Sequence, residues 1–326
     1  MKSEQWQFGE HILAPGEKKQ VFIHPYGEEY YIPSTLINGS SPGKTIVISA
    51  GLHSGEYPGV AASIQAAAYL EAEKIKGRVL LLHAINTSGF FAHSEGVVAE
   101  DGVNLNACFP GSREGSIGQK VAAYLEDEIM PLADFIMDLH SGGGMEPLAP
   151  CLFFPNAVGE KVRSMSLAAA AAISTPHLIA SEAISGFYSY AATKGIPGIL
   201  VERGGCNNCH PDDVAKVQMD ILLLLNHFGL VELKDKSALP EKTLWHKVDY
   251  VVSRHQGLWY PAVKPGDVVQ RGGLIGRIQD FFGKNLGEYR ASADSRIMYN
   301  YSGLAINNGT PIAACGIIDE AHILVL

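Results

Sequence analysis

Residues 45–56 read Thr-Ile-Val-Ile-Ser-Ala-Gly-Leu-His-Ser-Gly-Glu, and this stretch decides both the fold and the site. Its first half, residues 45–50, is apolar at nearly every position, which is typical of a strand covered on both faces by helices. Its second half ends the strand at glycine and places His53 and Glu56 three positions apart. An imidazole and a carboxylate so placed can turn toward one point beyond the strand, which would make half of a metal site.

A second apolar run, residues 135–137, leads into Asp138 and His140. His53, Glu56 and His140 together form a two-histidine, one-carboxylate set, the ligand type of catalytic zinc with a fourth position open for water. Asp138 lies two positions before His140 and therefore on the same face of an extended strand. We expect Asp138 either to contact His140 on the side away from the metal and so support it as a ligand, or simply to cap a backbone group.

A third apolar run, residues 196–201, ends in Glu202. Open α/β sheets carry their ligand sites at the carboxyl ends of strands, so we expect this carboxylate to meet the two histidines. One interpretation of Glu202 is a structural ion pair with the neighbouring Arg203, because a buried carboxylate needs a partner. The other is a general base that takes a proton from metal-activated water as the water attacks a carbonyl.

The remaining pattern predicts an α/β domain followed by a small all-β domain. Apolar runs alternate with helical patterns, which are predicted at residues 58–74, 115–130, 158–173, 186–195 and 210–228. Beyond Pro240 the chain changes to short strands separated by Pro-Gly and Gly-Gly turns. We therefore predict a catalytic domain over residues 1–240 and a β domain over residues 241–326.

The segment 86–116 is glycine-dotted and lacks periodicity, and loops of this length in compact domains are usually functional. Asn104 and Asn106 share one face of it if it is extended, where their amides are predicted to bind substrate. Asparagines in loops are also common turn formers, and this alternative stays open.

Composition excludes several classes of function. The 326 residues carry 34 acidic and 25 basic side chains, a formal net charge of -9, which disfavours binding to nucleic acid or to anionic membranes. The sequence shows no signal peptide and no apolar run long enough to span a membrane. We expect a cytoplasmic protein with a small-molecule substrate.

Five cysteines without an export signal fit a reducing compartment. Cys108, Cys151 and Cys315 lie in apolar surroundings and are predicted core thiols. Residues 206–210, Cys-Asn-Asn-Cys-His, match the c-type haem attachment pattern. Haem attachment would require export, so a redox or secondary metal role for the cysteine pair is the better of these two minor alternatives.

Four blocks in this order resemble the succinylglutamate desuccinylase and aspartoacylase family, relatives of the zinc carboxypeptidases. They are His53-x-x-Glu56, Asn104-Leu105-Asn106 before Phe109-Pro110-Gly111, Asp138-Leu139-His140-Ser141-Gly142, and Val201-Glu202-x-Gly204-Gly205. The resemblance implies a carboxypeptidase-like α/β/α domain with a mixed sheet. It also implies zinc bound by His53, Glu56 and His140, with Glu202 as the general base.

The chain departs from this family at Ala107, where the family usually has an arginine that anchors a substrate carboxylate. A bidentate carboxylate clamp cannot be built from alanine. Either Arg113, Arg163 or Arg203 takes over that role, or the substrate lacks the carboxylate, or the chain has lost activity. Arg203 is the predicted substrate-binding arginine.

The sequence therefore predicts a zinc-dependent amidohydrolase that removes an acyl group from a small N-acylated amine or amino acid derivative. Two alternatives stay open: a carboxypeptidase that acts on short peptides, and a zinc-binding protein without catalytic activity. A homo-oligomer is common for such enzymes, and the sequence does not decide the oligomeric state.

Overall fold

The computed structural model describes residues 4–27, 29–233 and 239–324. The strands are β1 (Trp6–Phe8), β2 (His11–Leu13), β3 (Glu17–Ile23), β4 (Ile32–Asn38), β5 (Ser41–Ala50), β6 (Lys76–Leu82), β7 (Phe135–His140), β8 (Cys151–Pro155), β9 (His177–Ser181), β10 (Gly198–Glu202), β11 (Lys242–Trp245), β12 (Val248–Val252), β13 (Gly257–Pro261), β14 (Val268–Val269), β15 (Leu274–Gln279), β16 (Asn285–Arg290), β17 (Ser295–Asn300), β18 (Ala305–Ile306), β19 (Pro311–Ile317) and β20 (Ala321–Leu324). The α-helices are α1 (Tyr57–Tyr69), α2 (Thr87–Ala92), α3 (Ile117–Tyr124), α4 (Glu160–Ala172), α5 (Phe187–Thr193) and α6 (Pro211–His227).

A ten-stranded mixed sheet forms the centre of the molecule, in the order β20-β11-β9-β8-β10-β7-β5-β6-β4-β3. Strands β6, β5, β7 and β10 are parallel neighbours, whereas β8 runs antiparallel to β10. The three predicted site strands are thus adjacent and end at the same edge. The predicted α/β fold with a mixed sheet is confirmed.

Helices cover both faces of this sheet, as the continuous apolar strands predict. One apolar core joins α1, α4 and α6 to the sheet, and a second joins α3 and α5 to its other face. At Gly59 in α1 a Cβ atom would lie 2.8 Å from Leu139 Cβ, so the glycine lets α1 pack closely on β7. The first turn of α1, which follows Glu56, is thereby held close to β7.

The segment 86–116 contains more structure than its lack of periodicity suggested. Asn86 caps α2 by accepting a hydrogen bond from Gly89 N, and a 3-10 turn follows at Leu105–Ala107. Side-chain caps make such short elements, and periodicity over longer windows does not detect them. The predicted helix at 115–130 is α3 continued by a π-helical turn, Leu125–Ile129, and a 3-10 turn, Met130–Leu132.

The C-terminal part forms two four-stranded antiparallel sheets, ordered β12-β19-β17-β14 and β16-β15-β13-β18. They enclose a separate core around Trp259. The flanking strands β11 and β20 instead extend the ten-stranded sheet. The boundary at residue 240 stays a prediction. Among the described residues, no helix is long and apolar enough to cross a membrane.

Candidate metal centre and its cavities

Pairing between strands brings the predicted site residues together. Glu202, the last residue of β10, is opposite His140, the last residue of β7. Ala50, the last residue of β5, is opposite Leu139. His53 and Glu56 follow β5 within six residues, so all four functional side chains lie at one edge of the sheet.

The turn after β5 aims His53 and Glu56 at that edge. Gly51 adopts a left-handed conformation with φ +63°, in which a side chain would be strained. Glu56 occupies the N-cap position of α1 but makes no side-chain capping bond there. Its carboxylate is therefore available for the site, and Pro58 lies in the first turn of the helix, where no backbone donor is needed.

The side chains of His53, Glu56 and His140 form the candidate metal centre, with one donor atom from each lying within 4.8 Å of the others. His53 Nδ1 is 2.9 Å from Glu56 Oε1, and His140 Nδ1 is 2.8 Å from Glu56 Oε2. Two imidazole nitrogens and one carboxylate oxygen are a donor set typical of catalytic zinc. The donor chemistry and the convergence of these atoms fit a divalent cation.

The outer nitrogen of each imidazole faces an oxygen. His53 Nε2 lies 3.2 Å from Asn104 Oδ1, which also accepts a hydrogen bond from Asn106 N. Because Asn104 Oδ1 can only accept, His53 Nε2 must donate, which leaves Nδ1 free as a ligand. Asn104, predicted to bind substrate, thus orients His53.

Asp138 lies beside His140 within ion-pair distance, but neither His140 Nε2 nor Asp138 Oδ2 forms a hydrogen bond among the described residues, so the predicted supporting role of Asp138 stays a prediction. His140 Nε2 is 3.3 Å from Asp138 Oδ2, while Asp138 Oδ1 accepts a hydrogen bond of 2.7 Å from Ser49 Oγ. All three residues are buried. Burial opposes the charged imidazole, but Glu56 and Asp138 outweigh burial and raise the pKa of His140 well above its ordinary value.

Glu56 holds the negative charge of the cluster. Burial favours its neutral form, but the imidazoles of His140 and His53 outweigh burial and lower its pKa to about 2. Ser141 N also donates a hydrogen bond of 3.2 Å to Glu56 Oε2. An ionised carboxylate at this position, facing two nitrogens that must lose their protons to bind a metal, is suited to hold a cation.

Glu202 is set apart from this ionised cluster. Burial, followed by the charge of Glu56, raises the pKa of Glu202 to about 8. Its Oε2 atom is buried and has no hydrogen-bond partner among the described residues. A carboxyl group with a raised pKa beside a metal centre has the properties of a general base or acid.

Glu202 faces a cavity of about 250 Å³, here called the inner cavity. It is lined by the three candidate ligands and Glu202, and its other lining residues include Phe153, Ile179, Leu200, Val248, Tyr250 and Tyr299. The last three belong to the part of the chain after residue 240, so the C-terminal strands complete the site. The sequence pattern did not identify Val248, Tyr250 and Tyr299 as site residues. Apolar and aromatic residues in a β domain are expected to belong to the core of that domain.

Asn106 also lines the inner cavity. Its Oδ1 accepts a hydrogen bond of 3.1 Å from Phe187 N, at the beginning of α5. Its predicted role in substrate binding stays a prediction, and its position at the cavity is compatible with it.

The prediction that Arg203 binds substrate is not supported by its position. Its Nε donates to Asp220 Oδ2 at 2.7 Å, and its Nη2 donates to Ser174 Oγ at 2.9 Å. Because residues alternate along a strand, Arg203 follows Glu202 on the opposite face, toward α6. The ion pair between Glu202 and Arg203, which was one of the two interpretations of Glu202, is absent from the described contacts.

The two other candidate arginines are engaged elsewhere. Arg113 Nε donates to Asp127 at 2.7 Å, and Arg163 Nε donates to Asn156 at 2.8 Å. Cys206 and Cys209 are exposed free thiols, and His210 caps α6 by accepting from Asp212 N. Of the predicted core thiols, Cys151 and Cys315 are buried, whereas Cys108 is half-buried.

The sequence pattern that defines the succinylglutamate desuccinylase/aspartoacylase catalytic domain matches residues 42–228. The chain belongs to this family. The matched region includes β5, β7 and β10 with all four site residues. The resemblance inferred from the four sequence blocks is confirmed.

Individual relatives agree with this assignment. The chain is 29% identical over 298 residues to N-alpha-acetyl-L-2,4-diaminobutyric acid deacetylase of Halomonas elongata, covering 89% of this chain and 86% of the relative. It resembles product-bound ectoine utilization protein EutE (DoeB) of Ruegeria pomeroyi, with a TM-score of 0.81, 26% identity and coverage of 88% and 89% of the two chains. It also resembles a succinylglutamate desuccinylase/aspartoacylase of Rhodobacter sphaeroides, with a TM-score of 0.79, 27% identity and the same coverages.

Proposed function

We propose that this protein is a zinc-dependent amidohydrolase that removes an acyl group from a small N-acylated amine or amino acid derivative. The observation that carries the proposal is the convergence of His53 Nδ1 and His140 Nδ1 on the Glu56 carboxylate, beside Glu202 Oε2, which has no hydrogen-bond partner in the part of the chain that the structure describes. Family membership and the deacetylase relative support hydrolysis of an amide bond. The two-nitrogen, one-oxygen donor set favours zinc as the metal.

His53, Glu56 and His140 would hold the cation. When bound, the cation would act as a Lewis acid that lowers the pKa of water and polarises the amide carbonyl. Asn104 keeps His53 in the tautomer that presents Nδ1, and Asp138, 3.3 Å from His140 Nε2, would do the same for His140. The chain itself thus supplies the ligands and their orientation.

Glu202 would move the proton of the reaction. Its Oε2 takes a proton from water as the water oxygen bonds to the amide carbon, and later returns it to the departing nitrogen. The products are a carboxylic acid and a free amine, so the atoms of one water are consumed. The small volume of the inner cavity favours a small molecule over a folded protein as substrate. A cytoplasmic location belongs to the same proposal.

Metal analysis combined with one variant tests the proposal. We expect purified protein to contain zinc, to lose hydrolysis of N-acylated amines with a chelator and to regain it with zinc. Glu202→Gln should keep the metal yet lower kcat by about 10²–10⁴-fold, because only the proton-transfer group is removed. Glu128→Gln, at an exposed position, is the matched control.

Each outcome separates the alternatives. Full activity in the presence of chelator would contradict a metalloenzyme, and unchanged turnover in Glu202→Gln would remove its role as base. Bound metal without hydrolysis of any amide would favour the zinc-binding protein without activity. Preference for short peptides over N-acylated amines would favour the carboxypeptidase.

A further inference from the structure

The turn between β15 and β16 carries two phenylalanines into solvent. Phe281 and Phe282 are the most exposed large apolar side chains among the described residues, with 85% and 97% of their surface accessible. Apolar side chains that are scattered singly over a surface are normal, but adjacent rings form a contiguous patch, and larger patches of this kind mark sites of interaction. The two rings are here called the tip.

Hydrogen bonds to Asp280 fix the conformation of this turn. Asp280 Oδ1 accepts bonds of 2.9 Å from both Phe282 N and Lys284 N, and Asp280 N donates to Lys284 O at 3.0 Å. Gly283 adopts φ +81°, a conformation in which a side chain would be strained. The tip is therefore held in one shape, so its binding to a partner would cost little conformational entropy.

A concave apolar surface lies between residues of β3, α1 and α2, and it is here called the groove. It has a volume of about 650 Å³. Its apolar walls are formed by Phe22, Tyr31, Val60, Ile64, Phe90 and Phe91. The rings of Phe22 and Tyr31 meet edge to face with their centroids 5.3 Å apart, and those of Phe90 and Phe91 do so at 5.4 Å. Aromatic rings prefer such contacts, so the groove is suited to receive further rings.

Polar side chains in the wall of the groove already have partners within the protein. His83 Nε2 is 2.8 Å from Thr35 Oγ1, and His83 Nδ1 is 3.0 Å from Ser63 Oγ. Thr87 Oγ1 donates a hydrogen bond of 2.7 Å to Tyr31 O. Among the described residues that line the groove, none is lysine, arginine, aspartate or glutamate. A charged ligand such as a fatty acid would find no counter-charge there, so the groove favours an uncharged, aromatic occupant.

The tip of one copy and the groove of another match in shape and in area. Both rings of the tip are exposed, so the tip does not occupy the groove of its own chain. The exposed residues of the groove are Phe22, Tyr31, Ile64 and Phe91. Together with the tip they present about 800 Å² of surface per copy, since one buried aromatic side chain covers roughly 150–250 Å². Two copies that each insert one tip and receive another would bury about 1,600 Å², the size of a standard stable interface.

We propose that this chain forms a two-fold dimer in which the tip of each copy inserts into the groove of its partner. Every chain carries one tip and one groove, and a two-fold interface makes each contact twice in this reciprocal way. The groove of one copy cannot fill the groove of another, because both are concave. The tip is convex and apolar, and its two rings lie against the aromatic walls of the groove. The dimer is independent of the chemistry at the metal centre.

A lipid bilayer is the other apolar environment into which two phenylalanines could insert. The chain has a formal net charge of -9, which opposes its approach to an anionic membrane surface. A membrane would also leave the groove uncovered, whereas a second copy covers the tip and the groove together. The dimer therefore accounts for both features, and insertion into lipid accounts for one.

Analytical ultracentrifugation of wild type and two variants tests the dimer. Wild type should be a dimer over a wide range of protein concentration. Phe281→Ser combined with Phe282→Ser removes the tip, and Ile64→Glu places a charge in the groove. Each variant should raise the dissociation constant of the dimer by about 100-fold or more, because loss of an interface anchor weakens binding by about tenfold or more and each variant changes both contacts.

Matched controls change exposed apolar residues outside the tip and the groove. Ile184→Ser combined with Leu304→Ser matches the tip variant, and Met219→Glu, on α6, matches the groove variant. The controls should dimerise like wild type, and far-ultraviolet circular dichroism verifies that all variants are folded. A monomeric wild type, or tip and groove variants that dimerise as tightly as the controls, would overturn the inference. Dissociation of the tip variant alone would do the same, since the tips would then pair with each other.

Photo-crosslinking locates the tip within the dimer. Photoreactive p-benzoylphenylalanine replaces Phe282, and isotope-labelled and unlabelled copies are mixed so that mass spectrometry recognises crosslinks between copies. We expect mixed-isotope crosslinks from the tip to Ile64 and Phe91. Crosslinks to a different surface, or none between copies, would overturn the inference.

Vesicle flotation detects insertion of the tip into lipid. Vesicles of phosphatidylcholine and phosphatidylglycerol should leave both wild type and the tip variant in solution. Flotation of wild type but not of the tip variant, together with a monomer in ultracentrifugation, would overturn the dimer in favour of a tip that binds membranes.

Discussion

Ionisable side chains lie on both sides of the sheet at the end of β10, and they differ in whether they have a bonding partner. On the α6 side, Arg203 and Asp220 form an ion pair of 2.7 Å, and Asp220 also accepts hydrogen bonds from Ser174 and Thr175. On the cavity side, Glu202 Oε2 has no partner among the described residues. Two consecutive residues thus lie in opposite environments, Arg203 in an ion pair and Glu202 with a carboxyl oxygen to which no described residue is hydrogen-bonded.

The difference distinguishes a structural cluster from a reactive one. A buried polar group without a partner raises the free energy of the folded state. A fully hydrogen-bonded ion pair avoids this cost. Folds keep such unsatisfied groups where chemistry requires them, at the expense of stability. The comparison therefore predicts opposite effects of neutralising a carboxylate on the two sides.

Asp220→Asn should give the largest loss of stability. The substitution leaves the Arg203 guanidinium buried without its counter-ion, and breaking a buried pair in this way costs about 3–5 kcal/mol. Urea unfolding of metal-free protein measures the loss directly. Lys216→Ala, at an exposed position of the same helix, is the control and should change the free energy of unfolding by less than about 0.5 kcal/mol. Equal stability of the two variants would remove the distinction between the clusters.

Glu202→Gln should have the opposite sign in the metal-free protein. The pKa of Glu202 is raised by burial and by Glu56 from its ordinary value of 4.5 to about 8. Between these values the folded state binds a proton that the unfolded state has released, so the contribution of Glu202 to stability falls as pH rises. The slope is at most about 1.4 kcal/mol per pH unit, and glutamine removes it.

Urea unfolding of metal-free wild type and Glu202→Gln between pH 5 and pH 8 measures this effect. The variant should become increasingly more stable than wild type toward the upper end of the range. Glu128→Gln, whose side chain is exposed, should show a constant difference from wild type. A constant difference for Glu202→Gln as well would mean that Glu202 is ionised throughout and is not held in a reactive state.

The reactive side could largely be predicted from the sequence. His53, Glu56, His140 and Glu202 each follow or end an apolar run, and parallel strands bring their carboxyl ends to one edge. The inference needed only strand type and strand direction, which continuous apolar runs indicate well. The order of the four blocks, which resembles that of the family, agrees with this geometry.

The structural side and the cavity walls could not be predicted in this way. Arg203 is next to Glu202 in sequence, but its partner Asp220 is on a helix, and no local pattern links the two. Tyr250 and Tyr299 reach the inner cavity from strands that pair mainly with one another.

Asp138 lies between the two cases and gives the smallest expected effect. It is buried, with Oδ1 bonded to Ser49 Oγ and Oδ2 3.3 Å from His140 Nε2. Asp138→Asn keeps the shape but replaces the carboxylate that faces His140 Nε2 with a weaker acceptor. Loss of such a supporting carboxylate lowers metal affinity by about 10–100-fold.

Competition with a chromogenic zinc chelator measures this affinity, and near-ultraviolet circular dichroism verifies that the variant is folded. Glu202→Gln, which removes a carboxylate that is not a ligand, should bind zinc about as tightly as wild type. Zinc affinity unchanged in Asp138→Asn would assign Asp138 to the structural group with Asp220, since its hydrogen bond to Ser49 would then be its main role. An affinity reduced in Asp138→Asn but not in Glu202→Gln would place Asp138 with the reactive group, because only its contact with His140 connects it to the metal centre.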